Sequence, residues 1–136
     1  MIFRFGGFVL SSYTYHRIFT DSEGESHYDE VTVDLKEMDF APPAPPLFIG
    51  GRMQSVGTSF LKARAGWDGS WHPAPARQFM SVLSGVFDVT VSDGEERSFK
   101  AGDLILLDDI SGKGHYTRVP DSAGDSLILV VQLGDD

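Results

Sequence analysis

His72, Gln78 and His115 are the residues of this sequence whose types and spacing could do chemistry. His72 opens a proline-rich stretch, "WHPAPARQF", in which Gln78 follows six positions later. His115 ends "SGKGH", where Gly112 and Gly114 can take positive φ and bring the imidazole inward. Two neutral imidazoles suit zinc, iron, nickel or copper, and a glutamine adds an uncharged amide oxygen. Without a metal, either ring can hydrogen-bond a small molecule or act as a general base, because imidazole titrates near neutrality. Neither histidine has an orienting partner visible in the sequence, and no catalytic residue is assigned.

The spacing around these residues resembles the cupin superfamily. Its first motif runs Gly, five residues, His-x-His, three or four residues, Glu, six residues, Gly, and here Gly66, His72, Gln78 and Gly85 stand in that frame. Ala74 occupies the second histidine position and Gln78 the acidic one. The second motif is matched by Gly102, Gly112 and His115, with Ile110 at its proline position, Val119 at its asparagine position and two extra residues after Gly102. The resemblance covers residues 58–133. It implies an all-β fold, a double-stranded β-helix or jelly-roll barrel of the RmlC-like type, in which the two motifs meet inside.

The resemblance also implies a mononuclear site for a divalent transition metal (Fe, Zn, Ni, Mn or Cu) held by His72, Gln78 and His115. The alternative is no cofactor at all. The family's usual set has three histidines and one glutamate. By crude division of a structural zinc site's binding energy, the missing histidine and the weaker glutamine cost about 4–7 kcal/mol. Asp108 and Asp109 fall in the two-residue expansion, where either could supply a carboxylate. The expected pocket comprises Trp67, Trp71, Met80 and Asp108. Two functions follow: a metal-dependent dioxygenase, isomerase or lyase acting on a small organic substrate, or a metal-free cupin binding a sugar-like or carboxylate ligand.

The elements that must position these residues read as strands. "YTYHRIF" and "YDEVTVDL" flank the polar turn "DSEGES" and predict a hairpin, in one register of which His16 faces Asp29. His16 and His27 read as surface residues of that hairpin. "APPAPPL" predicts an extended arm, since each proline fixes φ and biases its predecessor away from helix. From Ser55 onward, "SVGTSFLKA", "QFMSVLSG", "VFDVTV", "ERSF", "LILLDD", "HYTRV" and "SLILVVQL" predict a succession of short strands, with a tight turn at Asp93-Gly94. Only "DLKEMD" reads as a short helix. Residues 1–50 are expected to form a hairpin and arm wrapping a barrel of residues 51–136, all within one structural domain.

Strand alternation puts Met80 and Val82 on the face of Gln78, with Phe79 and Leu83 on the other. By the same rule Arg77 and Tyr116 point away from the site, Arg77 towards a surface ion pair.

Composition closes several other routes. There is no cysteine, which removes disulfides, thiolate zinc ligands and a thiol nucleophile, and there is no asparagine for N-glycosylation. The net charge of −9 opposes nucleic acid and anionic membranes as partners. "SGKGH" is not a Walker loop, because Leu107 and Gly114 stand where glycine and Ser/Thr are required. No Gly-x-Ser-x-Gly elbow appears. The adjacent acidic pairs Asp108-Asp109, Glu95-Glu96 and Asp135-Asp136 would face opposite sides of a strand and form no glycosidase pair. The opening "MIFRFGGFVL" is broken by Gly6 and Gly7 and is too short for a secretory core. These features predict a soluble cytoplasmic protein, and exposed edge strands predict a homodimer.

Overall fold

The computed structural model describes residues 2–5 and 8–134, with side chains from Ser11 onward. Gly6, Gly7 and the Asp135-Asp136 pair lie outside the described residues. Among the described residues, twelve strands follow one another. They are β1 (Ile2–Phe5), β2 (Phe8–Thr20), β3 (Ser26–Met38), β4 (Leu47–Ile49), β5 (Ser55–Ala63) and β6 (Asp68–His72). The second half adds β7 (Gln78–Ser84), β8 (Val86–Val91), β9 (Glu96–Lys100), β10 (Leu104–Asp108), β11 (His115–Arg118) and β12 (Ser126–Leu133). One 3-10 turn, Asp121–Ala123, interrupts them.

The strands form two sheets. The larger has the order β4-β3-β2-β10-β7-β12-β5, with β1 added on β2, and the smaller has the order β6-β11-β8-β9. All pairings are antiparallel except β2 with β10. The two sheets face each other across an apolar core that includes Ile18, Val82, Phe87, Phe99, Ile105 and Ile128. This is a jelly-roll barrel of the cupin type.

A second cluster covers the other face of the larger sheet, where Tyr15 and Leu106 pack with Phe79 and Met53. β10 is therefore covered on both sides, which explains its unbroken run Ile105-Leu106-Leu107 of buried residues. β12 instead alternates, with Ser126, Ile128 and Val130 inward.

The N-terminal hairpin is hydrogen-bonded into the barrel. His16 to Phe19 pair with Ile105 to Asp108, while Ile18 and Tyr28 enter the core. Burial along β3 fades from Ser26 towards Met38, so only the end near the turn belongs to the barrel wall. The register sets His16 opposite Glu30 and Arg17 opposite Asp29. That is one step from the His16–Asp29 facing considered above, and it gives Arg17 the bidentate partner, at 2.9 and 2.6 Å.

Two local expectations are corrected. "DLKEMD" is strand, because Asp34, Leu35 and Lys36 pair in register with Ser12, Ser11 and Leu10, and pairing overrides local propensity. The proline arm is not extended throughout. Ala44 N–H closes a turn on Ala41 C=O at 2.9 Å, and the chain returns as β4 along β3. Proline's fixed φ suits such turns as well as it suits extended chain. Met38, Phe40 and Leu47 around this turn are more than half exposed, at 51%, 59% and 52%.

Candidate functional site

The site is built where β6 meets β11. His72 and His115 are register partners across this pair, so both side chains leave the same face, and their ring centroids are 4.9 Å apart. Close approach of the two strands depends on Gly114. Its φ is +74°, and a Cβ there would lie 2.1 Å from the His72 carbonyl oxygen. Pro73, which has no N–H to donate, follows His72 and ends β6. His72 thus closes a strand that propensity did not announce.

Each imidazole is held through Nδ1. His72 Nδ1 lies 2.9 Å from the Ser70 carbonyl oxygen. Ser70 adopts φ 55°, a left-handed conformation uncommon for a residue with a side chain, and this bends its carbonyl back towards the ring. His115 Nδ1 lies 2.6 Å from Asp109 Oδ2, and both side chains are buried, at 5% and 0% exposure. Asp109 Oδ1 has no hydrogen-bond partner among the described residues. The Asp109 backbone carbonyl accepts from Ala74 N–H at 2.9 Å, which fastens the 73–77 loop to the same point.

Asp109 is the residue that sequence reading placed least well. Asp108, expected in the pocket, lies on the other face of β10. Its carboxylate pairs with Arg77 at 3.2 Å and Arg17 at 3.4 Å, and it does not line the cavity. The physical reason is strand alternation: Ile105 and Leu107 face the core, so Asp108 faces away and Asp109 turns back in. That parity was available in the sequence. It required knowing that the strand face held through the turn.

The imidazoles border a cavity of 390 Å³ between the two sheets. Trp67, Trp71, Met80 and Gln78 contribute to its wall, together with Val82, Phe87, Phe99 and Ile105. No Lys, Arg, Asp or Glu lines it among the described residues. The larger sheet ends at β5 and the smaller at β6, and the mouth opens between these edges, where Leu61, Trp67 and Trp71 are 41%, 43% and 51% exposed. Gln78 directs its amide nitrogen at Met80 Sδ, 3.8 Å away. Phe79 and Arg77 turn outward.

Tyr116 also lies outside the cavity. Its ring packs at a tilt of 47° against Trp71, with 5.8 Å between centroids, and its hydroxyl donates to Asp68. That hydrogen bond holds the Asp68 carboxyl below its usual range and the Tyr116 phenol above its own.

A resident transition metal does not fit these residues. Two neutral nitrogens and one amide oxygen offer no anionic ligand, and the buried Asp109 carboxylate is engaged by His115 Nδ1. Among the described residues, no three His, Cys, Asp or Glu side chains gather to hold an ion.

No family model and no curated protein matches the sequence. Solved structures similar in fold include the cupin domain of Cnp3 from Schizosaccharomyces pombe, 11% identical, with a TM-score of 0.47 over 91% of this chain and 84% of that one. A Cupin 2 conserved barrel domain protein from Salinispora arenicola is 17% identical, with a TM-score of 0.46 over 75% of this chain and 76% of that one. An RmlC-like cupin from Shewanella frigidimarina is 18% identical, with a TM-score of 0.42 over 88% of this chain and 85% of that one. Among the described residues, no helix is long and apolar enough to cross a membrane. The two-sheet topology gives the chain a jelly-roll barrel fold of the kind the cupins have, with its two glycine-framed segments meeting at His72 and His115.

Proposed function

We propose that the cavity binds a small, mainly apolar organic molecule without a resident metal, and that His72 and His115 meet its polar end. One observation carries this reading: a largely apolar space of 390 Å³ bordered by two adjacent imidazoles, with Ser70, Gln78 and Thr117 as the other polar side chains of its wall. That volume lies within the ordinary range for ligand sites. A sugar fits less well, because much of the wall, including Val82, Phe87 and Ile105, offers its hydroxyls no hydrogen bond. The donor set gives no support to the metal-dependent dioxygenase, isomerase or lyase reading.

The test is a titration with ethylbenzene, a neutral probe of suitable size, followed by methyl NMR with and without EDTA. Saturable shifts centred on Val82, Ile105 and Ile128, unchanged by chelator, are the expected result. Absence of saturation, or shifts that need added metal, would overturn the proposal.

A further inference from the structure

We infer that the occupant presents its polar end as a multiple hydrogen-bond donor, an alkylammonium on an aromatic or apolar body, and not as a carboxylate. This rests on the small-molecule reading of the cavity and narrows it. The argument starts from tautomers. The Ser70 carbonyl can only accept, so His72 Nδ1, 2.9 Å away, carries the ring proton. The Asp109 carboxylate likewise accepts from His115 Nδ1 at 2.6 Å. A neutral imidazole has one N–H, so in both rings Nε2 is a bare acceptor.

The cavity therefore offers two acceptors on adjacent rings and lacks a cation. A carboxylate has no proton to give either nitrogen, and no Lys or Arg lines the wall to offset its charge. An alcohol has one proton. An ammonium has three, so it can satisfy both nitrogens at once. Its charge is favoured by the Asp109 carboxylate behind His115 and by the chain's net charge of −9. Trp67 and Trp71 at the mouth supply aromatic faces for the body of the ligand or for the passing cation.

Four probes of matched shape test this at pH 7.5 in EDTA and 0.3 M NaCl: 2-phenylethylamine, 2-phenylethanol, phenylacetate and ethylbenzene. Affinity should fall from amine to alcohol to phenylacetate, with the amine at least tenfold above phenylacetate. His72→Phe should bring the amine within about twofold of ethylbenzene while ethylbenzene binding persists. Phenylacetate equal to or tighter than the amine would overturn the inference, as would an amine preference that survives in His72→Phe. If ethylbenzene binds and the amine gains nothing over it, only this inference fails. If ethylbenzene does not bind, the cavity reading fails with it.

Discussion

His115 and His27 both sit against aspartate, yet the two arrangements have opposite consequences. At His115 one ring nitrogen is used, by Asp109, inside the barrel. The other is uncommitted, on a residue that borders the cavity. At His27 both nitrogens are used: Nε2 lies 2.7 Å from Asp21 Oδ2 and Nδ1 lies 2.8 Å from Asp93 Oδ2. A ring that donates to two carboxylates is an imidazolium, and its hydrogen bonds to Asp21 and then to Asp93 raise its pKa. His27 pins the hairpin turn to the β8–β9 turn, at a half-exposed position, and has no nitrogen left for a ligand. A histidine–aspartate contact alone therefore does not mark a site. An uncommitted nitrogen beside a cavity does.

The comparison can be broken first at His115. His115→Phe leaves the buried Asp109 carboxylate without the ring N–H that it accepts from, and stranding a buried charged acceptor costs about 3 kcal/mol or more. Urea denaturation should read a loss of this size. His27→Gln should move the urea midpoint far less, and equal losses would erase the distinction between buried pair and surface clamp.

Gly114→Ala comes next. It places a Cβ against the His72 carbonyl at a positive φ, which costs about 1–3 kcal/mol in backbone strain. It should also push β11 from β6, so probe affinity should drop along with stability. A variant that binds normally would show that the His72–His115 approach is not what the site requires.

The clamp has a pH signature of its own. The folded-state pKa of His27 is raised above 6.5, so its contribution is complete below that value and fades as pH rises through the folded pKa. Those of Asp21 and Asp93 are lowered below 3.8, so their contribution is complete above that value and fades in acid. The difference in melting temperature between wild type and His27→Gln should thus be greatest between pH 3.8 and 6.5 and shrink on either side. A difference that grows above pH 7.5 would contradict the clamp.

The smallest effect is expected at Asp108. Asp108→Asn weakens partly exposed ion pairs with Arg17 and Arg77 and should cost no more than about 1 kcal/mol. Probe affinity should stay within twofold. A larger loss of affinity would return Asp108 to the pocket.

Much of the fold was legible because strand signals are local. β5 and β12 match their apolar runs residue for residue, and Asp93-Gly94 does turn β8 into β9, with Gly94 at φ 101°. β6 was not legible, because Asp68-Gly69-Ser70 carries turn residues and pairs only through β11. "DLKEMD" misled for the converse reason, since a helix-like composition was held extended by β2.

The sequence by itself determined the glycine frame and, with it, the two histidines that stand in that frame. Positive φ at Gly66, Gly85, Gly112 and Gly114 is a local steric requirement, written at those positions whatever surrounds them. Alternation likewise determined that Met80 and Val82 share the wall with Gln78. Tertiary structure alone decided that His72 and His115 stand opposite each other, that Asp108 finds Arg17 and Arg77, and that His27 is spent on two carboxylates. Each of these depends on which strands lie side by side. Hydrogen-bond partners separated by 66 or 91 residues are chosen by sheet order, and no local pattern encodes that choice.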